Sequence, residues 1–171
     1  MRKSSKIRAA MVMVSVPVIV AAVSTPASAS SNITWRNKAT GACLRVWNNT
    51  AVDTDAQGLL HCFHPQKYVS DKWDDSQSGL ENPNGAWKIT TNNTFFSGRC
   101  LASWYADESG LGKVLIEPCD KPANYYQQWY ENWTGDGMQI VNRQTGLCLD
   151  SDAKGRVYTN KCDGGDWQVW K

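Results

Sequence analysis

The residues of this chain whose spacing points most clearly to chemistry are its six cysteines. Three of them lie in a Thr/Ser-Gly-x-Cys-Leu element, at residues 40–44, 97–101 and 145–149, and a second cysteine follows each element a short way along the chain. An even number of cysteines indicates disulfides if the protein is exported to an oxidising compartment. A zinc site is the alternative, but no Cys-x2-Cys spacing is present, so we predict no metal site. Because the element repeats, we predict one disulfide inside each of three copies: Cys43–Cys62, Cys100–Cys119 and Cys148–Cys162.

Few side chains have the pattern of catalytic groups. The two histidines, His61 and His64, flank a cysteine assigned to a disulfide, and carboxylate pairs such as Asp74 and Asp75 lie in polar stretches typical of solvated turns. The sequence motifs of serine hydrolases, zinc peptidases and phosphate-binding loops do not occur. We therefore predict no catalytic residue and no cofactor. The alternative is a small secreted hydrolase with two carboxylates across a cleft.

The first 29 residues have the layout of a secretory signal peptide. A basic start with Arg2 and Lys3 precedes an apolar run over residues 9–23 and the small residues Ala27 and Ala29. We expect cleavage after Ala29 and export of the protein. An uncleaved membrane anchor is the alternative, but the run is short for a span of about 20 residues. No later stretch is apolar and long enough to cross a bilayer, so we predict no membrane insertion.

Removal of this segment changes the charge of the chain. The whole chain has 18 basic and 16 acidic residues, and four of the basic residues lie in the first 29. The remainder has 14 basic residues against 16 acidic ones, a net charge of −2 instead of +2. No basic stripe is left, which excludes nucleic acid as a partner.

The rest of the chain, residues 30–171, is predicted to be one all-β domain. Short apolar segments alternate with clusters of Gly, Asn, Asp and Pro, and no window has sustained helical periodicity. Each copy ends on a tryptophan that we assign to the core: Trp73, Trp129 and Trp170. Copies with four short strands each could build a propeller or a trefoil. Three copies are fewer than a propeller ordinarily has, which favours a β-trefoil with three internal repeats.

The combined pattern of Gly-x-Cys-Leu, a second cysteine and Gln-x-Trp, three times in register, resembles the ricin B-type lectin family of β-trefoil carbohydrate-binding modules, of a secreted bacterial type. The resemblance covers about residues 33–171, and the third copy matches best. It implies a sugar site in each copy, formed by an Asp directly after Cys-Leu, an aromatic residue two positions before the second cysteine, and the Gln-x-Trp element. Such a site suits a pyranose, which has a face of C–H groups and a rim of hydroxyls.

The first two copies depart from this pattern. The position after Cys-Leu is Arg45 in the first copy and Ala102 in the second, and the aromatic position is Leu60 and Glu117. The first copy also has Asp71 in place of the Gln of Gln-x-Trp. We therefore expect both copies to have lost their sugar sites.

The third copy keeps Asp150 and Gln168, so at most one sugar site remains. Asn160 occupies the aromatic position, and Tyr158 or Trp167 could supply the ring instead. The alternative for Asp150 is a turn carboxylate bonded to backbone amides. The alternative for Gln168 is a buried amide that bridges strands.

Further aromatic residues lie outside the repeat-defining positions and are candidates for a binding surface. They are Trp47, Trp104, Tyr105, Tyr125, Tyr126, Tyr130 and Trp133.

The sequence is compatible with two functions. The protein is either a secreted, non-enzymatic lectin that binds a glycan weakly, or an adaptor subunit of a secreted, toxin-like assembly that binds a protein partner. Fold resemblance alone does not choose between them.

Overall fold

Short β-strands make up most of the regular structure in the computed structural model, which describes residues 29–47, 51–54, 62 and 69–171. Within this part of the chain the helices are single 3₁₀ turns, at Thr94–Phe96, Tyr125–Gln127 and Asp166–Gln168. The all-β prediction is therefore confirmed. The strands are β1 (Leu44–Trp47), β2 (Ala51–Thr54), β3 (Val69–Ser70), β4 (Trp73–Ser76), β5 (Ala86–Thr91), β6 (Arg99–Ala106), β7 (Gly112–Pro118), β8 (Gln128–Trp133), β9 (Met138–Asn142), β10 (Cys148–Ser151) and β11 (Val157–Asn160).

Seven of these strands form a closed ring. The order is β5-β6-β7-β11-β10-β9-β8, and β8 pairs with β5 to complete it. The contact between β7 and β11 joins the second copy to the third, through the antiparallel pair Lys113–Tyr158. The strand β2 adds to β7, and β4 adds to β5, and residues of the first copy such as Leu44 and Trp73 share one hydrophobic core with the ring. Closure leaves these seven strands with partners on both sides.

Three equivalent hydrogen bonds hold the core. The indoles of Trp73, Trp129 and Trp170 are fully buried. Each donates its N–H to the carbonyl of the leucine of a Cys-Leu pair, in Leu44, Leu101 and Leu149, at 2.9, 2.8 and 3.0 Å. The prediction that these tryptophans are core residues is confirmed. Each one ties the end of its copy to the strand that contains the leucine of its Cys-Leu pair.

The disulfides join the predicted pairs, with Cα–Cα distances of 5.7 Å for Cys43–Cys62 and 5.1 Å for the other two. The glycine of each Gly-x-Cys-Leu element precedes the bonded cysteine in a left-handed conformation. Its φ is +72° at Gly41, +75° at Gly98 and +69° at Gly146. Only glycine takes this conformation without steric cost, which explains its place in the repeated element.

Two of the sequence predictions fall largely outside the described residues. The segment 1–29 is described only at its last residue, and His61 and His64 are not described. Among the residues that are described, none belongs to a helix long and apolar enough to span a membrane.

Candidate functional site

The third copy contains a cleft of about 200 Å³ beside the end of β10. Asp150 of β10 and Tyr158 of β11 are directly opposite each other in the sheet, so both side chains project from the same face. The 3₁₀ turn Asp166–Gln168 brings Trp167 to the other side. The cleft is lined by Asp150, Ser151, Asp152, Tyr158, Asp163, Gly165 and Trp167.

Gln168 holds Asp150 in place. Its side-chain amide is fully buried and donates to Asp150 Oδ2 and to the carbonyl of Lys161, each at 2.9 Å. Its carbonyl oxygen accepts from the backbone N–H of Asp163 at 3.0 Å. Gln168 therefore uses its amide N–H groups and its carbonyl oxygen inside the protein, where it fixes the Asp150 carboxylate.

The second oxygen of Asp150 has a different environment. Asp150 Oδ1 is buried, and among the described residues no group donates a hydrogen bond to it. Burial raises the pKa of Asp150 above its ordinary value, and hydrogen bonds from Gln168, from the backbone of Ser151 and from the side chain of Asn160 oppose that shift. A buried acceptor without a donor is unfavourable, and Asp150, which lines the cleft, keeps only 4% of its surface exposed.

Two aromatic side chains flank this carboxylate. Tyr158 is half-buried, and its hydroxyl donates to the carbonyl of Ser151 at 3.4 Å. Burial is the main cause that raises the pKa of Tyr158. Trp167 remains 38% exposed at the mouth of the cleft. The cleft thus combines a fixed carboxylate with two ring surfaces.

The structure does not place all predicted site residues in the cleft. Asn160 is not among its lining residues, and its side-chain oxygen accepts from the backbone N–H of Lys161 at 2.8 Å. Asp152 and Asp163 also line the cleft, and neither is among the site residues predicted from the sequence. Asp152 lies after the Cys-Leu-Asp element, and Asp163 directly follows a disulfide cysteine, and neither position has a distinctive pattern.

The corresponding positions of the other two copies lack this arrangement. Arg45 forms an ion pair with Asp53, with Nε 2.5 Å from Oδ1. Ala102 is fully buried, and the side-chain amide of Gln127 donates instead to Glu117 Oε1 at 2.8 Å. In the first copy a cation stands where the third copy has the Asp150 carboxylate. In the second copy the corresponding residue is an alanine, and the glutamine bonds to another carboxylate of the same copy. Leu60 lies outside the described residues.

The aromatic residues proposed for a binding surface fall into two groups. Tyr126 and Tyr130 are half-buried, whereas the others are exposed: Trp47, Trp104, Tyr105, Tyr125 and Trp133. Trp104 and Tyr126 stack with ring centroids 4.4 Å apart, and Tyr105 meets Tyr126 edge-on at 5.3 Å. The guanidinium of Arg143 lies 4.1 Å from the ring centroid of Tyr125.

Comparison with known proteins agrees with this architecture. Residues 31–170 match the model of the ricin-type beta-trefoil lectin domain. No curated protein sequence matches the chain. The chain resembles ThreeFoil, a designed threefold-symmetric protein, with a TM-score of 0.61 and 21% identity, and the match covers 81% of this chain and 94% of that one.

Two natural proteins show the same fold. The hemolytic lectin CEL-III has a TM-score of 0.57 and 23% identity over 82% of this chain, which spans only 30% of that protein. A chain of cytolethal distending toxin from Actinobacillus actinomycetemcomitans has a TM-score of 0.58 and 16% identity, with coverage of 80% and 86%. At such identities the likeness establishes the fold alone. The match over residues 31–170 shows more: the chain belongs to the ricin-type β-trefoil lectin family.

Proposed function

We propose that this protein is a secreted, non-catalytic lectin that binds one sugar residue in the cleft beside Asp150. The observation that carries the proposal is the state of the Asp150 carboxylate. One of its oxygens is bonded to the buried Gln168, and among the described residues the other has no donor. Family membership supports carbohydrate as the ligand.

The chemistry of the cleft fits a pyranose. Hydroxyl groups of the sugar would donate to the Asp150 carboxylate, and hydrogen bonds to a charged acceptor are stronger than neutral ones. The C–H face of the ring would pack on Tyr158 or Trp167. A single shallow cleft implies weak binding per molecule, which increases when several copies are presented together.

Export is part of the proposal. The basic and apolar pattern of residues 1–29 and the three disulfides both fit a protein that acts outside the cell. A lectin for extracellular glycans requires that location. Mass spectrometry of the protein from the culture medium would test it by showing whether the chain begins at residue 30.

The decisive experiment removes the carboxylate and measures sugar binding. Asp150→Asn should weaken binding on a glycan array and in calorimetry more than tenfold, because each hydrogen bond to a charged group contributes about 1.5–3 kcal/mol. Glu117→Gln is the matched control, since Glu117 also accepts from a buried glutamine, in a copy that we expect not to bind sugar. Equal binding by Asp150→Asn and the wild type would contradict the proposal.

A second candidate function is that of an adaptor subunit in a secreted assembly. It is favoured by the exposed aromatic side chains of Trp133 and Tyr125, which are 67% and 46% exposed and do not line the sugar cleft. Interfaces are enriched in such residues. One structural neighbour is a toxin chain that this chain covers almost completely. Co-purification of a partner from culture medium, lost in Trp133→Ser, would support this function, and recovery of the monomer alone would count against it.

A further inference from the structure

We propose that a second sugar subsite adjoins the Asp150 cleft, in an aromatic groove across β6, β7 and β11, and that the protein therefore recognises glycan chains and not single terminal sugars. This inference rests on the proposed function, because it extends the same binding surface. The groove has a volume of about 560 Å³, larger than the 200 Å³ cleft beside Asp150. Its walls are formed mainly by Trp104, Tyr105, Lys113, Arg156 and Tyr158.

The groove and the cleft share a wall. Tyr158 lines both of them. A second connection runs through the rim, where Arg156 of the groove donates to Asp152 of the cleft, with Nε 2.6 Å from Oδ2. A ligand in the cleft that continues past Tyr158 would therefore enter the groove.

Strand register shows how far this surface extends. Asp150 pairs with Tyr158, and Tyr158 pairs with Lys113, so the three side chains project from one face of three adjacent strands. The next strand, β6, has an irregular register here: Ser103 pairs with Val114 and Ala106 with Gly112, so the stretch that contains Trp104 and Tyr105 lies opposite Lys113. Adjacent strands are about 4.8 Å apart, so the row from Asp150 to Trp104 is about 14 Å long. One pyranose ring does not span that distance, whereas a short oligosaccharide does.

The aromatic wall of the groove is fixed before any ligand binds. One face of the Trp104 indole stacks on Tyr126. Trp104 is 39% exposed, so this exposed surface lies on the opposite face and the edge of the ring. Tyr105 is held by a hydrogen bond from the side-chain amide of Gln144 to its hydroxyl, at 3.0 Å. A ring that is already immobilised loses little entropy on binding, which favours its use as a stacking platform.

The floor beneath these rings is also tightly assembled. The hydroxyls of Ser103 and Thr159 lie 2.7 Å apart and link β6 to β11. A side chain at Gly112 would collide with Thr159 Oγ1 and with the backbone carbonyl of Trp104, so glycine is needed there for close approach of the strands. The groove is therefore a preformed feature of the seven-stranded ring.

The composition of the rim favours carbohydrate as the occupant. Asp107, Ser109, Lys113 and Arg156 surround the aromatic wall. These side chains supply both acceptors and donors for hydroxyl groups, and the ring faces supply the apolar contact. The groove is concave and continuous with the proposed sugar site, in contrast to the isolated exposed ring of Trp133.

The test compares ligands of increasing length. Calorimetry would measure the binding of cello-, galacto- and chito-oligosaccharides with one to four sugar residues to the wild type, Trp104→Ala, Asp150→Ala and Trp47→Ala. We expect the tetrasaccharide of the preferred series to bind about tenfold more tightly than its monosaccharide. Trp104→Ala should remove that gain. Trp47→Ala is the matched control, because Trp47 is 37% exposed and lies on β1, away from the groove lining.

The outcomes separate the two proposals. If the monosaccharide binds through Asp150 but longer chains bind no more tightly, or if Trp104→Ala and Trp47→Ala have the same effect, the groove is not a sugar subsite and only the inference is wrong. If no series binds, the proposed function is wrong and the inference with it. Should Trp104→Ala be less stable than the wild type, Tyr105→Ser provides the second variant, since Tyr105 is 62% exposed.

Discussion

The pair Asp150 and Gln168 shows how one buried amide fixes a carboxylate at the wall of a cleft. Gln168 donates to Asp150 Oδ2, which sets the orientation of the side chain, and among the described residues no donor reaches the buried Oδ1. The sequence indicates both residues as parts of one sugar site, with a buried amide that bridges strands as the alternative for Gln168. Their different roles depend on the burial of Gln168 behind Asp150, which local sequence does not specify.

As the pH falls, sugar binding should begin to weaken at a higher pH than it would if Asp150 had the pKa of an ordinary aspartate. Burial raises the folded-state pKa of Asp150 above its ordinary 3.8, so protonation begins at a higher pH. A protonated carboxyl group loses the charge that strengthens its hydrogen bonds to sugar hydroxyls. Calorimetric titration of the preferred sugar between pH 8 and pH 4 would measure this.

The matched control for this titration is Asp150→Asn. Its remaining affinity should be low and should not change with pH, because the amide does not titrate. A pH dependence that persists in Asp150→Asn would assign the titration to another group.

At the scale of the elements, the strand β8 carries an acidic residue in a half-buried position. Glu131 has a buried Oε1, and among the described residues no donor reaches that atom. Burial, and secondarily the charge of Asp75 on β4, raise the pKa of Glu131 to about 7. The sequence of β8, QWYENW, does not reveal this burial, because the solvent exposure of Glu131 depends on how neighbouring strands pack.

The stability of the fold should fall as the pH rises through this range. The unfolded pKa of Glu131 is 4.5 and the folded pKa is about 7, so the folded state retains the proton between these values. The contribution of Glu131 is therefore fully present below pH 4.5, decreases as the pH rises, and is lost above pH 7. A pKa shift of this size corresponds to a change of about 3 kcal/mol in the free energy of unfolding.

Urea unfolding at pH 5 and pH 8 would measure the effect, with Glu131→Gln as the comparison. The neutral amide should remove most of the difference in the free energy of unfolding between the two pH values and should make the protein more stable than the wild type at pH 8. Identical pH profiles for Glu131→Gln and the wild type would contradict the assignment.

The repeated elements were the part of the fold that the sequence predicted best. The disulfide pairs and the three core tryptophans follow from residues that recur at fixed places within each copy. The closure between β7 and β11 was not predictable in this way, because it joins Lys113 to Tyr158 across two copies. For the same reason the sequence does not predict the groove beside Trp104, although it does indicate Trp104 and Tyr105 as candidates for a binding surface.

At the scale of the whole molecule, buried asparagines connect one copy to another segment of the ring. The side-chain amide of Asn142 donates to the carbonyl of Tyr126 at 2.8 Å, and that of Asn37 donates to the carbonyl of Trp167 at 2.7 Å. The second bond joins the first copy to the third, across 130 residues. Backbone hydrogen bonds between Arg36 and Lys171, at 2.6 and 2.7 Å, complete the junction between the first and third copies.

We expect Asn37→Ala to destabilise the whole fold by about 2 kcal/mol, because it removes a fully buried amide and its hydrogen bonds to two partly buried backbone groups. These are the carbonyl of Trp167 and the N–H of Ala39, which donates to Asn37 Oδ1 at 3.1 Å. Because Trp167 also lines the sugar cleft, the variant should weaken sugar binding as well, although Asn37 lies outside the cleft lining. Urea unfolding and calorimetry with the preferred sugar would measure both effects.

Asn93→Ala is the control. Asn93 caps a 3₁₀ turn by accepting from the N–H of Phe95, so its replacement should lower the free energy of unfolding by about 1 kcal/mol without affecting the cleft. Equal losses in the two variants would show that the junction between the first and third copies contributes no special stability.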